Sequence, residues 1–102
     1  MPRPPRLSPE EIAAALHGLP LWSGDGDGLR RTVKLPTFRD AVSAVVAIAD
    51  VAEEMDHHPD IDLRWRTLHL ALVSHSAGGV SELDLQLARR IDTLLPARVQ
   101  PL

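Results

Sequence analysis

The chain has no cysteine and no tyrosine, and only one phenylalanine and two tryptophans among its 102 residues. Without cysteine there is neither a disulfide nor thiolate chemistry. That fits a reducing compartment, and a cytoplasmic location is expected. Long apolar runs are missing too. The longest, Ala41 to Ala49, is broken by Ser43 and ends at Asp50, too short to cross a bilayer, so no membrane association is expected. Met1-Pro2-Arg3-Pro4-Pro5-Arg6 is positively charged, but no apolar region follows it, so it does not read as a secretory signal. Nor is there an excess of basic residues. The formal net charge of -3 gives no electrostatic reason to expect nucleic acid as a partner. No internal repeat is found.

What is present is an ordinary globular balance, 44% hydrophobic and 25% charged. One domain of this length can bury a modest core without covalent staples. Residues 1–7, with three prolines and two arginines, read as a loose arm, residues 8–96 as the domain and 97–102 as a short tail. Ser8-Pro9-Glu10-Glu11 opens a helix: Ser8 caps the first amides, Pro9 suits the first helical position, and Glu11 completes a capping box. Ile12, Ala15 and Leu16 form its apolar face, and Gly18 and Pro20 close it. Leu21-Trp22-Ser23 reads as the start of a strand, Gly24 to Gly28 as a loop, and Leu29 to Leu35 as a half-buried strand completing a hairpin.

Pro36-Thr37 ends that strand and caps a long helix. Its predicted buried stripe is Phe38, Ala41, Val42, Val45, Ala49, Ala52 and Met55. Pro59 disfavours helical geometry at His58, so the helix ends before it. Ile61, Leu63 and Trp65 alternate as inward residues of one strand, and Leu68, Leu70 and Leu72 continue the alternation. The whole stretch makes either two strands or one long bent one. Ser74 to Gly79 is a polar corner. Ser81 caps a last helix with an apolar stripe of Leu83, Leu87, Ile91 and Leu94, stopped by Pro96. This order excludes a doubly wound sheet and points to an α+β domain, an antiparallel sheet with helices on one face.

The chemistry concentrates in Glu53-Glu54-Met55-Asp56-His57-His58-Pro59, with His75 and Asp84 downstream. Imidazole is the side chain whose unperturbed pKa, roughly 6.5, lets it hold or release a proton near neutrality. Pro59 makes the His57-His58 corner rigid. Two adjacent histidines alone are as readily ordinary loop residues as functional ones. Zinc is disfavoured because adjacent residues of an extended chain point to opposite sides, and the spacing of zinc-binding histidine motifs is missing. No metal is expected. Asp25-Gly26-Asp27-Gly28 looks like the start of a calcium loop, but Pro36 occupies the position that requires a bidentate glutamate. His17 and His69 show no partner in the sequence. Asp84, three residues after Ser81, also reads simply as part of a helix cap.

Taken together, Glu53, His57-His58-Pro59, Trp65, His75 and Asp84 occur at a spacing that closely resembles the pterin-4a-carbinolamine dehydratases. The flanks agree: Ser74-His75-Ser76-Ala77-Gly78-Gly79-Val80-Ser81-Glu82-Leu83-Asp84 resembles that family's segment, as does Leu87 to Asp92 its closing helix, and Trp22 sits where the family has a tryptophan. The resemblance covers roughly positions 8 to 95. It implies a four-stranded antiparallel sheet with three helices on one face, in the order α-β-β-α-β-β-α. It also implies dehydration of 4a-hydroxytetrahydropterin to quinonoid dihydropterin, with no cofactor, after an aromatic amino acid hydroxylase has oxidised the pterin. His57, His58 and His75 would be the catalytic imidazoles, with acid and base unassigned. Pro59 would position the corner, and Glu53 belongs to the same pattern around the substrate. Trp22 would contact the pterin or only wall the site. Asp84 would orient a histidine or only cap its helix, the cap being the preferred reading. A homodimer or homotetramer is implied. The alternative reading is a dimerising partner of transcription factors on the same fold.

Overall fold

The computed structural model describes residues 3–96. The expected tail, 97–102, lies outside the described residues. The elements follow the expected order: α1 (Pro9–Leu16), β1 (Ser23–Asp25), β2 (Gly28–Lys34), α2 (Phe38–Met55), β3 (Asp60–Arg64), β4 (Thr67–Leu72), a 3₁₀ turn at His75–Ala77 and α3 (Glu82–Leu94). The four strands form one antiparallel sheet in the order β1-β2-β4-β3. Leu29 and Val33 of β2 and Leu68, Leu70 and Leu72 of β4 are buried on one face, while Arg30, Thr32 and His69 are exposed on the other. This is the α+β architecture expected from the alternation.

The helix starts behave as their capping residues demand. The Ser8 hydroxyl accepts from the Glu11 amide, and the Glu11 carboxylate accepts from the Ser8 amide. The Ser8 backbone bond, and then its hydroxyl, hold the Glu11 carboxyl below its ordinary range. A carboxylate pKa lowered by folding means that the cap is intact above that range and weakens as pH falls through it. Thr37 Oγ1 caps α2, accepting from the Asp40 amide at 3.0 Å.

The apolar stripes differ from the expected ones. On α2 the inward residues are Ala41, Ile48, Val51 and Ala52, with Val45 and Met55 partly covered. Phe38, Val42 and Val46 are 53%, 40% and 57% exposed, and Ala49 is exposed as well. A helix apolar over more than half its circumference gives no unique stripe from periodicity, so the sheet chooses the orientation. On α3 the inward residues are Asp84, Leu85, Leu87, Ala88 and Ile91, while Leu94 is exposed. The helix is turned so that a carboxylate, Asp84, faces the interior.

Trp22 precedes β1 instead of lying in it, and is buried in the core. Its Nε1 donates to Asp92 Oδ1 at 2.8 Å, and Arg31 Nη1 donates to the same oxygen at 2.7 Å. Arg31 shares the inward face of β2 with Leu29 and Val33. Its buried charge is matched by Asp92 and by the Pro96 carbonyl.

Trp65 was expected in the core with Ile61 and Leu63, and is instead at a hairpin tip, 67% exposed. Arg64 pairs with Thr67, which leaves Trp65-Arg66 as a two-residue loop. Tight loops of this kind need positive φ at the first position, and Trp65 has φ 56°. For a bulky residue that conformation is costly. The ring lies 4.8 Å from the Arg66 guanidinium and 5.8 Å from the Lys34 ammonium, contacts that offset part of the cost. Ile61 on the edge strand is also exposed. The turn was hidden in the sequence because no glycine, asparagine or aspartate marks it.

Candidate functional site

Two chain segments build the site. The first is the end of α2. Asp56 is left-handed, φ 50° and ψ 44°, and its amide reaches back to the Ala52 and Glu53 carbonyls. The His57 amide also bonds the Ala52 carbonyl, at 3.0 Å. This reversal turns His57 beneath the helix, where it is 8% exposed. Pro59 keeps the next residue extended, so His58 points the other way and is exposed. His58 Nε2 lies 3.5 Å from Glu53 Oε2, one helical turn earlier, and both groups face solvent.

The second segment runs from the end of β4 to the start of α3. Ser74 and Gly79 bond each other through both backbone directions, closing a tight loop. Gly78 supplies φ 74° at the end of the 3₁₀ turn. A Cβ on Gly79 would lie 2.7 Å from both Arg6 Nε and Gly26 O, so only glycine lets these groups close on the loop. His75 opens the turn and is exposed.

Asp84 joins the two segments. Its carboxylate is fully buried, and Oδ1 lies 2.6 Å from His57 Nε2. Oδ2 accepts from Ser74 Oγ at 2.8 Å and from the Ser81 amide at 2.9 Å. Because the Ser74 hydrogen goes to the carboxylate, Ser81 Oγ donates to Ser74 Oγ, 2.7 Å away. Every neighbour of the carboxylate is thus a donor, and the His57 proton on the Asp84 side belongs to Nε2. Nδ1 is left as the nitrogen of His57 that can exchange a proton. Asp84 thus meets the cap of α3 with Oδ2 and the His57 ring with Oδ1.

A cavity of about 220 Å³ lies between these segments. Arg3, Asp56, His57 and His58 line it from one segment and the arm, and Val73, Ser74, His75 and Ser76 from the other. The three candidate imidazoles therefore come together. Trp22 does not line the cavity and belongs to the core, and Glu53 touches it only through His58. His69 is on the open face of the sheet, 3.1 Å from Thr32 Oγ1. The serines are not poised as nucleophiles, since Ser74 Oγ is bonded to the carboxylate instead of to an imidazole. The arrangement suits proton transfer between a bound molecule and positioned imidazoles.

Comparison with known proteins bears on what that molecule is. Residues 5–94 match the family model described as pterin 4 alpha carbinolamine dehydratase. The chain belongs to the pterin-4-alpha-carbinolamine dehydratase family. A relative in Mycolicibacterium smegmatis, named provisionally as such a dehydratase, is 53% identical over 89 residues, 87% of this chain and 95% of that one. A Mycobacterium tuberculosis relative with the same provisional name is 48% identical over 91 residues, 89% and 97% of the two chains. The crystal structure of a transcriptional coactivator/pterin dehydratase from Brucella melitensis superposes with a TM-score of 0.83 at 31% identity, covering 87% of this chain and 97% of that one. A pterin dehydratase-like protein identified as a RuBisCO assembly factor in the alpha-carboxysome shares the fold alone, with a TM-score of 0.60 at 20% identity over 72% and 84% of the chains.

In this member of the dehydratase family, sequence reasoning missed three participants. Sequence marks Ser74 and Ser81 only as corner and cap, and their bonds to Asp84 depend on how α3 is turned. Arg3 belongs by sequence to a loose arm. In the structure Leu7 bonds the Val80 carbonyl at 2.8 Å, Arg6 pairs with Ser81 in an isolated bridge, and Arg3 Nη2 reaches Asp56. The prolines were a signal of stiffness, but nothing in the order of residues identifies Asp56 as the partner.

Proposed function

We propose that the protein dehydrates 4a-hydroxytetrahydropterin to quinonoid dihydropterin and water by histidine general acid–base catalysis. The observation that supports this most is the convergence of His57, His58 and His75 on one cavity, with the His57 ring held by a buried carboxylate. In the reaction a protonated imidazole gives its proton to the hydroxyl on C4a, and the C4a–O bond breaks with loss of water. A neutral imidazole takes the N5 proton, and the N5–H electrons form the new C4a=N5 bond. Oxidation states of substrate and product are equal, so the step calls for no redox cofactor. Turnover should fall on both sides of an optimum, because one imidazole must be charged and another neutral. The direct test is turnover of freshly generated 4a-hydroxytetrahydropterin. In a cell the substrate would come from an aromatic amino acid hydroxylase in the cytoplasm.

Proton transfer between imidazoles and the pterin asks nothing of a metal ion. Turnover is expected to survive chelation and dialysis unchanged. Stoichiometric zinc by elemental analysis, with activity lost on its removal and restored on its return, would defeat the histidine mechanism.

We also propose that copies of the chain associate as a homodimer or homotetramer through α2. Phe38, Val42 and Val46 recur every fourth residue and form one exposed apolar row. Val42→Glu together with Val46→Glu should reduce the assembled mass seen by light scattering to that of one chain. Wild type that is already a monomer across the micromolar range would contradict the proposal. The same row supports the second reading, a dimerising partner of transcription factors, for which the name of the Brucella relative is the specific reason.

A further inference from the structure

We infer that Arg3 is a positioning residue, which holds the His57-His58 corner in place by latching the N-terminal arm onto Asp56. The inference concerns the geometry of the corner, and its effect on turnover rests on the proposed dehydratase reading.

The arm crosses the molecule between the two segments that make the site. At one end the Leu7 amide bonds the Val80 carbonyl at 2.8 Å, Arg6 bridges Ser81, and Arg6 Nη1 donates to the Gly78 carbonyl at 2.9 Å. These contacts anchor it at the start of α3, three residues from Asp84. At the other end Arg3 Nη2 donates to the Asp56 carbonyl at 2.7 Å and to Asp56 Oδ2 at 3.0 Å. That end is one residue from His57. The strap therefore spans the same gap as the buried His57–Asp84 bond, from outside.

Asp56 is where such a latch has leverage. It is one of two non-glycine residues with positive φ among the described residues, and its left-handed turn directs His57 inward and His58 outward. Aspartate tolerates this region better than most residues, but still at a cost glycine does not bear. Arg3 bonds both the carbonyl and the side chain of this residue, and one guanidinium nitrogen suffices for both. Loss of the latch lets Asp56 relax toward ordinary backbone geometry. Both imidazoles then shift relative to His75, on which proton transfer depends.

The experiment combines Arg3→Ala, Arg3→Lys and Asp56→Gly in the full chain, read by steady-state kinetics and by histidine ring proton resonances. Arg3→Ala should shift the His57 and His58 ring signals, leave that of His17, and lower kcat about tenfold with KM within about twofold. Arg3→Lys, which keeps a donor and a charge, should recover part of the loss. Glycine at position 56 adopts the left-handed turn unaided. In an Asp56→Gly background, Arg3→Ala should therefore cost less than about twofold in kcat, a non-additivity that a remote structural effect would not produce. Equal losses in both backgrounds, or ring signals unmoved by Arg3→Ala, overturn the inference while leaving the dehydratase reading intact. A rise in KM with kcat unchanged overturns it in favour of direct substrate contact. Wild type without dehydratase turnover defeats the functional reading, and the ring signals in the two backgrounds still decide whether Arg3 sets the corner.

Discussion

Asp84→Ala is expected to lower stability by about 3–5 kcal/mol, the usual cost of deleting one partner from a buried ion pair or its equivalent. The reason lies in what the carboxylate satisfies. Its removal leaves His57 Nε2, the Ser74 hydroxyl and the Ser81 amide without their acceptor inside the protein. In a domain near 100 residues each kcal/mol moves the melting temperature by about 4–8 °C. The variant should therefore melt more than about 10 °C below wild type. Asp84→Asn separates shape from charge. The amide preserves volume, but its NH₂ group must face either the His57 donor or the two serine donors. A loss of roughly 1–3 kcal/mol is expected from that single mismatch. Turnover should fall in both variants, since the His57 ring loses the group that fixes its tautomer and direction. Thermal melting and turnover of the two variants check this together. An Asp84→Ala protein that melts with wild type would show that the buried network contributes nothing to the fold.

His75→Ala should lower turnover by about a hundred- to ten-thousand-fold, the range that a positioned acid or base supplies. Its melting temperature should not change. The ring is exposed at the start of a short turn, and among the described residues no side chain bonds it. His57→Ala should cost turnover on the same scale, but with a loss of stability as well. Its imidazole is buried against Asp84 at 2.6 Å, and alanine leaves that oxygen unpaired in the interior. The contrast between the two variants is the informative quantity. Full turnover in His75→Ala would remove the histidine mechanism, whatever His57→Ala does.

From the sequence, both histidines would be expected to be dispensable for folding, because both fall outside the apolar stripes. For His75 the structure agrees. For His57 it does not, and the cause is instructive. Pro59 correctly ends the helix, but the left-handed turn at Asp56 is what sends the next side chain inward. A hydropathy pattern has no entry point for a polar residue buried against another polar residue. Asp84 is a second case: it lies three residues before Leu87 and seven before Ile91, on the buried side of α3, but as a carboxylate it does not count toward an apolar stripe.

The Glu54–Arg90 pair shows the opposite case. It joins α2 to α3 at 2.9 Å, and the Arg90 hydrogen bond holds the Glu54 carboxyl below its ordinary range. Both groups face solvent, so the pair is screened by salt and contributes little. As the folded carboxylate is the more acidic, that small contribution is present at neutral pH and is lost as pH falls through the carboxylate range.

Local chemistry settled much of this protein in advance. The capping boxes at Ser8 and Ser81, the proline after His58, and the alternation of Leu68, Leu70 and Leu72 are each determined within a few residues. They are therefore legible in order along the chain, and with them the α+β class and the candidate imidazoles. Three features were decided only by the tertiary structure: the direction in which α2 and α3 present their apolar faces, the pairing of His57 with Asp84 across 27 positions, and the seat of the arm on Asp56. The physical reason is common to all three. A helix apolar on most sides, a carboxylate that can cap or can bind, and an arginine with several possible partners each have more than one locally acceptable state. Burial of the sheet face selects the orientation of the helices and with it the His57–Asp84 pair, and the backbone contacts of the arm at Val80 and Ser81 bring Arg3 to Asp56.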